Sequence, residues 1–191
     1  MKSIQRSGRA AFTLIELLAV ITIIVILAGL VVTGMGFVNE RQAKEKARVQ
    51  IALISKALEE YKLDTGNYPA TADAATGVGQ SAELFKALYF DSDGDGAGNT
   101  DQKVYIAEFD PVTNKQGWTS GTASVTTKII DPWGNEYRYR SAFAASAANA
   151  APAPNPSTQN PDFDLWSSGK DGRSTPATAT DKTNNDDIKN F

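Results

Sequence analysis

From Leu17 to Asn39 the chain runs 23 residues without a charged side chain, and its first part, Leu17 to Val32, is almost wholly Leu, Ile, Val and Ala. At 1.5 Å per residue, a helix of that length crosses a hydrocarbon core of about 30 Å. The run follows a leader, Met1 to Ala11, that holds Lys2, Arg6 and Arg9 and no acid. By the positive-inside rule the N-terminus stays cytoplasmic and the remainder crosses. A secretory signal has a shorter apolar region that ends at a small-residue cleavage site. Here the small residues Ala10 and Ala11 precede the apolar run instead, so cleavage there keeps the hydrophobic segment at the new N-terminus.

The remainder of the 191 residues is enough for one globular domain beside that segment. The chain contains no Cys and no His. That removes the thiol nucleophile, the imidazole base and the commonest transition-metal ligands, and leaves the fold without a disulfide. The formal net charge is −3 with an isoelectric point near 5.0, and no dense basic patch offsets it. Phosphate neutralisation wants the opposite sign, so nucleic acid is excluded as a main partner.

Beyond Asn39 the hydrophobic pattern changes period. Ala47, Ile51, Ile54, Leu58 and Tyr61 recur at steps of four and three, while Glu40, Arg41, Lys44, Glu45, Lys46, Arg48, Lys56, Glu59, Glu60 and Lys62 fill the other positions. This is one face of an amphipathic helix. No Pro separates it from the apolar run, so the spacing predicts a single helix from Phe12 to Leu63, weakened locally at Gly29, Gly34 and Gly36. Thr65-Gly66-Asn67-Tyr68-Pro69 ends it. Such a helix is roughly 78 Å long, too long for a compact domain of this size. Half of it must serve something outside the fold. The resulting division is a leader over 1–11, a hydrophobic half-helix over 12–39 and a head over 40–191. The head comprises an amphipathic half-helix over 40–63, a variable region over 70–127 and a sheet with an acidic loop over 125–191.

Glu16 is the only charge inside the apolar stretch. An uncompensated acid near a bilayer centre costs about 2.5–3.5 kcal/mol on insertion scales and less near the edge. It therefore reads either as an interfacial Glu without consequence or as half of an ion pair. If the chain is cut between Ala11 and Phe12, the new α-amino group and Glu16 stand four positions apart. An acid of one chain then meets the amine of a neighbour, which sets axial register in a polymer.

Phe12-Thr13-Leu14-Ile15-Glu16-Leu17-Leu18 behind a short basic leader resembles the class III signal of type IV pilins and pseudopilins. The resemblance implies a prepilin peptidase that cuts between Ala11 and Phe12 and methylates the amine of Phe12. It also implies that Glu16 is needed for assembly. Ala11 stands where that family carries Gly. Ala57 to Pro69, Asp131 to Tyr139, Asp162 to Gly172 and Asn185-Asp186-Asp187-Ile188 are similar to segments of the major pseudopilin of type II secretion systems. The region from Thr71 to Thr127 matches poorly.

Elementary patterning agrees with that likeness. Asp131-Pro132-Trp133-Gly134-Asn135 is turn chemistry, and Tyr137 and Tyr139 alternate with Arg138 and Arg140 as in a strand with one buried face. With Val125 to Ile130 before the turn and Phe163 to Trp166 after it, a small antiparallel sheet is expected, packed on the C-terminal half of the helix. Trp133 and Trp166 are expected in its core, Ala82 to Tyr89 as a short helix, and Ala142 to Pro161 as a low-complexity surface loop. The fold class expected is α+β and type IV pilin-like: a long N-terminal helix, its first half transmembrane, on a small antiparallel sheet with a loop-rich C-terminal region.

Two acidic clusters suit a hard cation. Asp171, Asn185, Asp186 and Asp187 bracket a polar loop with almost nothing apolar to pack, and Ca²⁺ takes 6–8 oxygen ligands of this kind. The alternative is a solvated acidic tail. The family resemblance implies a structural Ca²⁺ held by Asp171, Asp187, either Asn185 or Asp186, and the carbonyl of Ser168. The second cluster, Asp91, Asp93, Asp95, Asn99 and Asp101, follows the EF-hand spacing at its start, but Gln102 stands where a bidentate Glu belongs. It reads equally as a polar turn.

The expected function is a structural subunit and not an enzyme. The hydrophobic half-helix waits in the inner membrane, then packs with copies of itself into an open helical fibre. The resemblance implies the pseudopilus of a type II secretion system, which exports folded proteins across the outer membrane. Its expected partners are further copies, minor pseudopilins, prepilin peptidase and an inner-membrane assembly platform. The head is expected in the periplasm. Removal of Lys2, Arg6 and Arg9 takes the formal charge from −3 to −6. The alternatives are a type IV pilin of a surface fibre, for adhesion, motility or DNA uptake, and a membrane-anchored enzyme, for which no nucleophile and base pair is visible.

Overall fold

The computed structural model describes residues 12–71, 78–91, 102–120, 126–144, 153–155, 157–175 and 182–191. The chain divides into two units, Met1–Arg41 and Gln42–Phe191. Helix α1, Leu14–Thr65, supplies residues to both.

In the first unit, the described side chains of α1 from Leu14 to Val31 are all exposed, and so are Phe37 and Val38. It is the one helix among the described residues long and apolar enough to cross a membrane, and none of its most apolar stretch is buried within the chain.

The second unit has its own core. From α1 it takes Ala47, Ile51, Ile54, Ala57 and Leu58, the face foreseen from the spacing, with Tyr61 packed at its margin. The helix runs two residues further than expected. Thr65 Oγ1 donates to the carbonyls of Tyr61 (2.8 Å) and Asn67 (2.9 Å), and Gly66, at φ +85°, donates its N–H to Lys62 O at 2.8 Å. A positive φ is where glycine is least penalised, so the helix ends there.

Over the apolar face of α1 lies a three-stranded antiparallel sheet in the order β3-β6-β7: Arg138–Ser141, Phe163–Ser167 and Ile188–Lys189. Tyr139 stands opposite Leu165 and Arg140 opposite Asp164. The period of two puts Tyr137, Tyr139, Phe163 and Leu165 in the core beneath the helix. Two phenols tie the layers: Tyr137 OH donates to Gln50 Oε1 at 2.8 Å, and Tyr139 OH to Pro69 O at 2.9 Å. The third strand, β7, was not foreseen.

The far face of the sheet is covered as well, which corrects the expectation of one buried face. Arg140 is only 1 % exposed, because its guanidinium donates to Asp164 Oδ2 at 2.5 Å and lies 4.8 Å from the centre of the Trp166 ring. Trp166 is fully buried, on this far face and not in the main core, edge-on to Phe191 at 5.8 Å. Trp133 lies at the margin of the core.

Three further features depart from the expectations. Thr119–Ser120 (β1) and Lys128–Ile129 (β2) pair with each other as a separate ribbon, and the segment before the turn meets the residues leading into β3 through an Ile130–Glu136 bridge and the Tyr137 N–H donating to Ile129 O at 3.1 Å, without becoming a strand of the three-stranded sheet. The expected helix from Ala82 to Tyr89 is α2, Ser81–Phe85, followed by one turn of π-helix over Lys86–Phe90. Within the low-complexity segment, Phe143–Ala144 (β4) pairs with Ala153–Pro154 (β5), and Asn155 is buried with its Nδ2 donating to Ser141 O at 3.1 Å.

Candidate functional site

Two places carry the residues singled out in the sequence. The first is the start of α1. Phe12 is 84 % exposed, and Ala11, the other half of the expected processing site, lies outside the described residues. Glu16 Oε2 accepts the Thr13 N–H at 2.9 Å and the Thr13 hydroxyl at 2.8 Å, while the Glu16 N–H donates to Thr13 Oγ1 at 3.3 Å. This reciprocal exchange is a capping box, with Thr13 as N-cap and Glu16 three residues on. It explains why α1 begins at Leu14 and not at Phe12. The Thr-x-x-Glu spacing that announces it stands in the sequence, beside the interfacial and ion-pair readings of Glu16.

The second place is the pair of turns at 167–175 and 182–188. The Asp-Pro-Trp-Gly-Asn turn positions it. Asp131 Oδ1 accepts the N–H groups of Trp133 (3.0 Å) and Asn135 (2.8 Å), and its Oδ2 accepts the Ser167 hydroxyl at 2.5 Å. Burial pushes the Asp131 carboxyl above its ordinary pKa, against the pull of those donors. Asn135 Nδ2 then donates to Gly169 O at 2.6 Å, so the turn before β3 holds the turn after β6.

Gly169, at φ +62°, sits directly under Asp186. A Cβ there would lie 2.5 Å from both the Asp186 carbonyl oxygen and its Oδ2. The Asp171 N–H donates to the same carboxylate oxygen at 3.0 Å, and Asp171 Oδ1 accepts the N–H of Arg173 at 2.8 Å. The Asp187 side chain is fully buried. Its Oδ2 takes the Ser174 hydroxyl at 2.6 Å and faces Lys189 Nζ at 3.3 Å, while its Oδ1 is buried with no hydrogen-bond partner. Burial again raises the carboxyl pKa. Ser168 is buried and Asn185 is exposed at the rim.

Ser168, Asp171, Asp186 and Asp187 therefore belong to two facing turns. The donor set is hard oxygen, and one buried carboxylate oxygen is open to a further partner, which fits a cation such as Ca²⁺. Among the described residues, no three acidic side chains converge into a ready metal-binding group. Of the other cluster only Asp91 is described. It is buried at the end of the π-turn, 3.5 Å from Lys86 Nζ, and Asp93, Asp95, Asn99 and Asp101 lie outside the described residues.

A long helix whose first half hides none of its aliphatic surface, in a chain whose second unit is a helix on a small antiparallel sheet, defines a pilin-like α+β subunit. The sequence model of the prokaryotic N-terminal methylation motif matches residues 6–32, and that of type II secretion system (T2SS), protein G matches 37–92. The chain is 31 % identical over 169 residues to the type II secretion system core protein G of Pseudomonas aeruginosa, covering 88 % of this chain and 89 % of that one. It is 30 % identical over 126 residues to the protein of the same name from Escherichia coli K12, covering 66 % and 68 %. To that of Klebsiella michiganensis it is 26 % identical over 169 residues, covering 88 % of each. The chain belongs to the type II secretion system core protein G family. That family, the major pseudopilins, is structural and not enzymatic.

Proposed function

We propose that this chain polymerises through the first half of α1 into the pseudopilus of a type II secretion system, whose growth drives folded proteins across the outer membrane. The observation that carries this reading is the wholly exposed aliphatic stretch of α1. Burial is worth about 25 cal/mol per Å², so such a surface must be covered, by lipid before assembly and by other copies after it. The basic leader keeps the N-terminus cytoplasmic and the head periplasmic. Prepilin peptidase cuts between Ala11 and Phe12, and the carboxylate of Glu16 leaves its Thr13 cap to meet the methylated amine of Phe12 on a neighbouring copy. Minor pseudopilins and an inner-membrane platform complete the assembly. A deletion strain tests the function. Specific exoproteins are expected to vanish from the supernatant and accumulate in the periplasm, with surface fibres unchanged. Normal secretion with missing surface fibres would make the chain a pilin.

Calcium is the proposed structural ion of the two facing turns. Asp171, Asp186, Asp187 and the carbonyl of Ser168 would hold it, with Asn185 at the rim. The support is the unpartnered Asp187 Oδ1 and the oxygen-only donor set. Its chemistry would be a hard cation bridging the two turns and meeting the open Asp187 oxygen. The head is expected to melt at a higher temperature in Ca²⁺ than in EDTA, and an EDTA-insensitive melting temperature would sink the assignment. The same measurement bears on Asp91, Asp93, Asp95, Asn99 and Asp101. A second ion there would appear as a stoichiometry of two by calorimetric titration.

A further inference from the structure

We propose that the Lys189 ammonium is the resident counter-ion of the two facing turns: it neutralises Asp187 from within the chain and opposes a divalent cation there, so that Lys189 sets how weakly the turns take Ca²⁺. The proposal rests on the calcium reading above and adds a regulating residue to it.

Lys189 stands on β7, an edge strand beside β6, opposite Trp166. A lysine that merely guards a sheet edge keeps its charge in water. The Lys189 side chain is instead only 21 % exposed, and its Nζ lies 3.3 Å from Oδ2 of an Asp187 side chain with no exposure at all. The same ammonium lies 5.5 Å from the centre of the Phe191 ring, within the distance at which a ring face attracts a cation. Phe191 is in turn edge-on to Trp166 at 5.8 Å. Trp166 Nε1 donates to Ser174 Oγ at 3.0 Å, and that hydroxyl donates to Asp187 Oδ2. Ammonium, carboxylate, hydroxyl and rings thus form one closed set.

An ammonium in that place has two consequences. A carboxylate taken out of water needs an opposite charge beside it. Lys189 supplies one without any ion from solution, so the turns stay together when calcium is scarce. A divalent cation arriving at Asp187, however, meets that positive charge at close range. The affinity of a Ca²⁺ site follows the charge of its ligand set. Asp171, Asp186 and Asp187 offer three negative charges, and Lys189 cancels one of them. The Phe191 ring gives the ammonium a second neighbour, so its charge is not stranded where the carboxylate is shared with a metal.

The test is calorimetric titration of the full chain in detergent micelles with CaCl₂, for the parent, Lys189→Met and Lys189→Arg. Lys189→Met keeps an unbranched apolar stem and removes the charge. It is expected to bind Ca²⁺ about tenfold more tightly than the parent and to show a wider gap in Tm between Ca²⁺ and EDTA, whereas Lys189→Arg stays close to the parent. A lysine with a purely structural role would lower the affinity, or leave it, on removal. Equal or weaker binding by Lys189→Met, or binding by Lys189→Arg as tight as that of Lys189→Met, would overturn the proposal and leave the calcium reading intact. Absence of Ca²⁺ binding from the parent and from Lys189→Met alike would overturn both. Should Lys189→Met not fold, the parent itself answers. Reductive methylation with ¹³C-formaldehyde keeps the charge and gives each lysine an NMR signal. That of Lys189, identified by its loss in Lys189→Arg, is expected to shift over the same CaCl₂ range as the heat of binding, and a signal that stays still while Ca²⁺ binds would overturn the proposal.

Discussion

Replacing Asp164 by Ala tests the far face of the sheet, where the structure puts an arginine in the interior. Asp164 is fully buried and accepts Arg140 Nη2 at 2.5 Å and the N–H groups of Gln159 and Asn160 at 2.9 Å each. Its removal leaves a guanidinium that is 1 % exposed without that counter-charge and strands two backbone donors. Breaking a buried pair from one side costs about 3–5 kcal/mol, and part of that is the stranding of donors at roughly 1–3 kcal/mol. For a domain of this size each kcal/mol moves Tm by about 2–4 °C, so the expected fall is on the order of 6–20 °C. The assay is thermal unfolding of the chain from Gln42 onward, which contains all of the described core. The double variant Arg140→Met/Asp164→Ala removes both charges and should lose less than the sum of the two single changes. A fall of under about 2 °C for Asp164→Ala would refute the reasoning, since the charge would then be finding water that the packing excludes.

Three other outcomes are expected. Gly169→Ala forces a Cβ into the Asp186 carbonyl and carboxylate at a φ of +62°, and should cost roughly 1–3 kcal/mol in chemical denaturation and weaken any Ca²⁺ response. Asp64, at the end of α1, accepts Lys103 Nζ at 2.6 Å and the Tyr105 hydroxyl at 3.0 Å, and these donors hold its carboxyl below the ordinary 3.8. A depressed acid stabilises the native state above its unfolded pKa and loses that contribution as pH falls through the folded value. The Tm gap between the parent and Asp64→Asn should therefore be full at neutral pH and close below 3.8. Thr13→Ala removes the cap of α1 and should destabilise its first turn by about 0.5–2 kcal/mol, seen as faster amide exchange at Leu14 to Leu17 in lipid.

Residues that face one well-defined partner were legible in the sequence. The steps of four and three from Ala47 to Tyr61 marked the core face of α1, and Tyr137 and Tyr139 marked the core face of β3. Arg140 was not legible, because alternation says which side chains share a face and nothing about whether the other face is covered. Asp164 and Trp166, distant in sequence, bury it. The β4–β5 pair was hidden by composition: Ala, Asn and Pro give a strand no pattern, and backbone pairing needs none. Of the acidic residues near the C-terminus, the sequence located the cluster. It had no means of assigning Asp187 Oδ2 to Ser174 or of stacking Asp186 over Gly169. The capping box at Thr13 was readable too, since Thr13 and Glu16 stand three positions apart before an apolar run.

The naked aliphatic surface of α1 has a thermodynamic corollary. Lipid tails are about as apolar as Leu side chains, so a helix leaving a bilayer for a bundle of its own kind gains no hydrophobic free energy in the exchange. From Leu14 to Val31 the polar side chains are Glu16 and Thr22, and the Thr22 hydroxyl is already spent on the Leu18 carbonyl at 2.8 Å. The two environments are then nearly isoenergetic for most of the helix, and the balance rests on van der Waals fit and on one carboxylate. A subunit of that kind can be drawn out of a membrane and returned to it at little cost, and the direction of travel is set by whatever does work on it.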